Sequence, residues 1–226
     1  MYHWRVIPDS PPVGFADEFD GIDGAVKHWE SSGAVRARLE AIGRSALSLV
    51  LFLEHIPHRL SAWLADGRDV ARHAWAERQL VQGADFMSAQ GLVHFDAHFH
   101  NVLTDGRLLY FADFGLALSS RFDLSPAEAA FLADHLDYDR HYVASHLLRH
   151  HLPGLGHDDV QHESFLHGWL AGEARPVPDT VAAIIDRHAG AALVLNDFHR
   201  RLMTDTKRTP YPVDELRRGS AAARTG

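Results

Sequence analysis

The sequence predicts an α+β fold, mostly helical, with a small β-hairpin set among the helices. Three observations predict it. Leu47–Leu53 (LSLVLFL) is a short apolar run followed by Pro57, which cannot continue a ladder, and it reads as a buried strand. Asp69–Gln90 carries a capping residue, apolar side chains at helical spacing and a closing glycine, the pattern of a long helix. Two short β-type runs then flank Asp105-Gly106, a hairpin signal, and the chain from Ser125 to about residue 204 has helical patterning.

Taken in order, residues 1–22 hold Pro8, Pro11 and Pro12 without a clear period and read as irregular or extended chain. Asp23–Ser31 and Ala34–Ile42 read as two short helices, with Gly33 between them and Gly43 as a C-cap. The strand at 47–53 follows, then a short helix at His58–Ala65 and a turn at Asp66-Gly67. In the long helix, Ala76, Leu80, Ala84 and Met87 fall on one face and Gly91 closes it. Asn101–Leu103 and Leu108–Phe111 are the hairpin strands. Ser125-Pro126-Ala127-Glu128 has capping-box spacing and starts the next helix. Breaks are expected at 153–156 and 172–178, and a frayed polar tail at Arg217–Gly226.

Composition excludes several classes. A net charge of −8 argues against a nucleic-acid footprint, which needs a basic face. The chain has no cysteine, hence no disulfide framework, thiolate chemistry or zinc–cysteine site. The longest apolar run is far too short for a bilayer, and no signal-peptide pattern opens the chain, so a cytoplasmic protein without membrane contact is expected. Lysine occurs only at Lys27 and Lys207, against twenty arginines, which limits any role that needs lysine. Histidine is abundant, at 18, and His3, His55 and His188 read as solvated.

The chemistry concentrates in one stretch. His94–Asn101 reads H-F-D-A-H-F-H-N, and Asp113-Phe114-Gly115 begins twelve residues after Asn101. One carboxylate there can orient an attacking hydroxyl, while the asparagine and the second carboxylate can hold magnesium on nucleotide phosphates. The pattern H-x-D-x-x-x-x-N followed by D-F-G resembles the protein-kinase-like superfamily, which includes the aminoglycoside and choline phosphotransferases as well as the protein kinases. The order strand, linker, long helix, loop, hairpin, helices is similar to a kinase hinge plus C-lobe.

The resemblance implies ATP and Mg2+ as cofactors and a hydroxyl-bearing protein or small molecule as acceptor. It makes Asp96 the catalytic base, Asn101 and Asp113 the magnesium ligands, and the backbone of Glu54, His55 and Ile56 the hinge that meets adenine. It divides the chain into a reduced N-lobe at 1–54, a C-lobe at 55–216 and a tail at 217–226. Phe95 stands where phosphate-switched kinases have arginine, so no such switch is expected. His98 and the short Leu116–Leu124 segment lean toward the small-molecule phosphotransferases. Asp134, Asp137 and Asp139 are candidates for an acidic acceptor surface.

The resemblance fails in the N-lobe. No G-x-G-x-x-G occurs, and Lys27, with Glu40 as a conceivable partner, sits in an apparent helix. Three accounts follow: a chain read from a late start, a short form or pseudokinase-like module that binds nucleotide without turnover, or a divergent lobe using Arg36 or Arg38. An apolar face left exposed at 47–53 would fit the first. Separately, His94, Asp96, His98 and His100 alternate and on a strand would share one face, an arrangement for a metal-dependent hydrolase.

Overall fold

Residues 3–8 (HWRVIP) carry the β-favouring Trp4, Val6 and Ile7, and they pair antiparallel with the apolar strand downstream. In the computed structural model, which describes residues 2–11, 14, 16–65, 69–152, 158–173 and 176–222, β1 is His3–Pro8 and β2 is Leu47–Phe52, in register from His3↔Phe52 to Pro8↔Leu47. Of the irregular or extended chain expected here, residues 3–8 take the extended form, because β2 supplies their backbone partners. The expectation of a buried strand at 47–53 is corrected. Among the described residues β2 pairs only with β1, and both strands are largely exposed.

Between the strands lie α1 (Gly21–His28) and α2 (Gly33–Gly43). α1 starts two residues earlier than its polar pattern suggested, because Asp20 takes a left-handed φ of 63° and turns the chain out of a 3-10 turn at Asp17–Phe19. The Ser32 hydroxyl caps α2 by accepting from Val35 N, and the C-cap is Arg44 rather than Gly43. These elements form one compact unit, residues 1–55, to which 201–209 belong. Glu30 explains that membership, since its carboxylate accepts from Lys207 N at 2.7 Å and from the Thr206 hydroxyl at 3.1 Å.

The second unit spans 56–200 and 210–226. It opens with β3 (His58–Arg59), where a helix from residue 58 was expected; Arg59 pairs with Leu103, so α3 (Leu60–Leu64) starts later. Asp69 caps α4 (Val70–Ala89) through Ala71 N and Arg72 N, and Ala76, Leu80, Ala84 and Met87 are buried as their spacing requires. Gly91, at φ 65°, turns the chain into β4 (Leu92–Val93). The hairpin is β5 (Val102–Thr104) with β6 (Leu109–Phe111), its turn held by Asp105, which accepts from Arg107 N and Leu108 N. A Cβ on Gly83 would stand 2.4 Å from the Phe111 ring, so glycine is what lets β6 lie against α4. β7 (Leu118–Ser119) pairs with β4.

Five further helices follow: α5 (Pro126–His135), which has the expected reciprocal capping box of Ser125 and Glu128, α6 (Tyr138–His150), α7 (Asp159–Leu170), α8 (Asp179–Thr204) and α9 (Val213–Ala222). The tail is helical to Ala222 because Leu216 is buried and anchors it. The turn at Asp66-Gly67, the break at 153–156 and part of that at 172–178 lie outside the described residues, as do 223–226. The fold is thus α+β, 57% helix with small antiparallel sheets. Among the described residues no helix is long and apolar enough to cross a membrane.

The core of the second unit joins α3, α4, α6, α7 and α8 through Leu60, Leu64, Leu80, Leu147, Leu166, Ile184 and Ile185. One carboxylate is buried beside it. Glu77 of α4 accepts from His188 Nε2 at 2.7 Å and Arg187 Nε at 3.1 Å on α8, so His188 is a structural partner and not the solvated residue expected. Burial pushes Glu77 up, but the bonds from His188 and Arg187 outweigh it and hold the carboxyl below its ordinary range. Its contribution is therefore present above the ordinary glutamate range and is lost as pH falls through its lowered pKa. Glu77→Ala is expected to lower the unfolding free energy by about 2–3 kcal/mol at neutral pH, read from urea midpoints. A change below about 0.5 kcal/mol would show that the pair is dispensable.

Candidate active site

The loop between β4 and β5 is held from three sides. From α6, the buried Asp139 accepts from His94 N at 2.6 Å and from Phe95 N at 3.0 Å. Phe95 takes φ 65°, a strained conformation for a bulky residue, and this two-pronged bond maintains it. From the core side, Phe99 is wholly buried and stacks on His151 with ring centroids 4.7 Å apart. From the hairpin side, His94 Nε2–H donates to the Ala112 carbonyl at 2.9 Å while its Nδ1 accepts from Asp96 N at 3.3 Å. Two such bonds hold the ring at both of its nitrogens.

Asn101 is the junction of the site. Its side-chain amide donates to both the carbonyl and the carboxylate Oδ2 of Asp96, each at 3.0 Å, and its own carbonyl accepts from Ala112 N at 2.8 Å. Asp96 is thereby oriented from one side of Asn101 and the Asp113 turn is fixed from the other. Asp113 has φ 59° and its Oδ1 accepts from Gly115 N at 3.4 Å, opening a 3-10 turn at Phe114–Leu116. Phe114 lies 4.5 Å from the His94 ring, centroid to centroid, yet remains 45% exposed, so it packs on the loop only in part.

Chemically, the donor set fits a hard cation. With the Asn101 nitrogen committed to Asp96, its amide oxygen is the atom left for a metal, and the exposed Asp113 carboxylate is a second hard oxygen. Asp96 keeps Oδ1 for a hydroxyl, with His98 Nε2 at 3.5 Å beside it. The Tyr142 hydroxyl is pushed up to about 12, by burial first and then by the charges of Asp96 and Asp139, so it stays a neutral donor or acceptor near this carboxylate.

The alternating histidines do not form the strand that would have put them on one face. The loop is not a strand, His94 has both nitrogens engaged, and among the described residues no three His, Asp or Glu side chains converge on a metal position. Asp134 and Asp137 are exposed, but Asp139 is not part of an acidic surface; it is the buried anchor of the loop. Its burial, though not its partner, was readable from period, because Asp139, Val143 and Leu147 lie four residues apart on one helix face and the latter two are core. Glu54 and His55 end the first unit, both exposed, and Ile56 opens the second, half-buried. A hollow of about 470 Å3 adjoins the Asp113 turn, lined by Phe86, Met87, Tyr110, Phe111 and Phe114. No family model matches the sequence, and neither does any curated protein.

Proposed function

We propose that the protein is a phosphotransferase with a protein-kinase-like fold, moving a phosphate from ATP, with magnesium, to the hydroxyl of a protein or small molecule. One observation carries the reading. Asn101 bonds the Asp96 carboxylate through its side chain and Ala112, next to Asp113, through its backbone, which supports a site built from the three oxygen-bearing side chains that this chemistry uses. Asp96 would orient the acceptor hydroxyl and take its proton, and Asn101 and Asp113 would hold the metal. Magnesium bound there would neutralise charge on the phosphates.

A nucleotide-binding module without turnover is the second reading, and the placement of the cations favours it. Lys27 lies exposed on α1, and β1 and β2 carry no lysine, their one full cation being Arg5. Arg36, one of the two substitutes weighed from sequence with Arg38, is engaged by Asp23 at 2.6 Å and Glu40 at 3.8 Å. Glu40 also meets Arg44 at 3.6 Å, so it is an arginine partner and not a lysine one.

ATP with magnesium is expected to raise the melting temperature, and Asp113→Ala to abolish that rise. Asp96→Asn is expected to keep the rise and to cut transfer to a hydroxyl panel by about a hundredfold or more. No rise with ATP, together with no effect of Asp113→Ala, would sink the nucleotide-site reading. A rise without transfer to any acceptor would select the non-catalytic module.

A further inference from the structure

The loop between β4 and β5 is fastened to α6 at both ends of that helix. Asp139, in its first turn, holds His94 and Phe95. At its last turn Phe99, wholly buried, packs against His146 and His151, with ring centroids 4.6 Å and 4.7 Å away, and those two rings lie 5.6 Å apart. Leucine or phenylalanine would wall a phenyl ring at less cost, because an imidazole is an apolar wall only while it is neutral. The surroundings oppose its charged form. His150 lies 4.5 Å from His146 and 6.4 Å from His151. His98 and His100 act on His146 from the loop, Tyr142 of α6 lies 5.9 Å from it, and His100 and His73 of α4 act on His151. Apart from the Tyr142 hydroxyl these are all imidazoles, so a proton on one opposes a proton on the next.

We propose that Phe99 in this histidine pocket is an acid-operated latch: proton uptake by His146 and His151 frees the loop segment 96–100 while the helices stay folded. The segment can leave by itself, since it holds no helix or strand, the Asp139 bonds tether one end and β5 follows the other. It withdraws Ala97 and Phe99 from the core and gives up the bond from Ser61 N to Phe99 O, 3.1 Å long. Local openings of that size cost less than unfolding the whole unit. In the closed loop burial, as the first cause, holds His151 down at about 4 and His146 at about 3. Freed of Phe99, each returns toward the ordinary 6.5. Closure is therefore fully favoured above pH 6.5 and is lost as pH falls below it. From pH 7.5 to about 5.5 each ring favours opening by about tenfold, and the pair by about a hundredfold. An open segment carries Asp96 away from Asn101 and Asp113. That consequence for the site rests on the phosphotransferase reading, whereas the opening does not.

The test is hydrogen exchange of the full chain by mass spectrometry from about pH 7.5 to about pH 5.5, corrected for the intrinsic pH dependence of amide exchange. Exchange in 96–100 and at Ser61 is expected to rise about a hundredfold, with α4 slower at every pH. His146→Phe and His151→Phe, which keep an aromatic wall, are each expected to cut the rise to about tenfold, and the double variant to abolish it. Exchange that stays flat, that rises only in step with α4, or that rises as far in the double variant overturns the latch. Transfer to a hydroxyl panel is expected to fall as the segment opens, and to survive in mild acid in the double variant. Transfer undiminished while the wild-type segment is open overturns its control of the site. No transfer at any pH, with the opening intact, sinks the phosphotransferase reading and keeps the latch.

Discussion

Asp139→Ala is expected to lower the unfolding free energy by about 2–4 kcal/mol, because it strands one buried and one part-buried N–H group and releases a strained turn. The carboxylate of Asp139 accepts from both His94 N and Phe95 N, and His94 is wholly buried. Burial pushes the Asp139 carboxyl up, and the two N–H bonds pull against that rise. Asp139→Asn tests the mechanism. Its single amide oxygen can receive one N–H well, but its amide hydrogens face a donor, so an intermediate loss is expected. On the phosphotransferase reading, both variants also weaken the response to ATP and magnesium, since Asp96 is bonded to His94 and Asn101 is bonded to Asp96. Urea melts check the stability loss, and a change below about 0.5 kcal/mol would mean that the loop does not depend on this anchor.

The second large effect is a steep loss of stability on mild acidification. Burial is the first cause that drives His146 down to about 3 and His141 and His151 down to about 4. For His146 the neighbouring His150, His151, His98 and His100 add to it, and for His151 so do His150, His73 and His100. His135 and His199 are lowered as well, again by burial first. In each case the folded pKa lies below the unfolded value of 6.5. The stabilisation is therefore complete above pH 6.5 and is lost as pH falls from there toward the folded values, where the unfolded chain takes protons that the folded chain refuses. Each such histidine contributes a slope approaching about 1.4 kcal/mol per pH unit, against a total stability on the order of 5–15 kcal/mol. Unfolding is expected to need only mild acid, near pH 5. His146→Phe keeps a ring against Phe99, 4.6 Å away in the native protein, and should reduce the slope by about one proton. Stability that stays flat between pH 7 and pH 5 would contradict this account.

Local signals carried much of the fold. Asp69, Ser125 and Glu128 cap the helices they were expected to cap, since a short polar side chain before an apolar repeat needs only its own neighbours to form that bond. The hairpin followed from Asp105-Gly106 for the same reason. The candidate site was legible as letters: Asp96, Asn101 and Asp113 were named by spacing, and their bonding to one another runs through residues at most eighteen apart. What spacing could not give was the long-range partner. Asp139 lies 45 residues from His94 and reads in sequence as one acid among three on a helix. Glu77 and His188 are 111 residues apart, and nothing in either local segment marks the other.

By itself, then, the sequence determined the long helix, the N-caps at Asp69 and Ser125, the hairpin and the identity of the oxygen-bearing residues, because each rests on contacts within a turn or two of chain. Only the tertiary structure decided which polar groups are buried, which histidines stay neutral, and that the apolar run at 47–52 forms an exposed edge instead of a core strand. The physical reason is common to all three. Burial and hydrogen-bond satisfaction depend on what arrives from distant segments, and hydropathy alone records only that a residue would favour being covered, not that anything covers it.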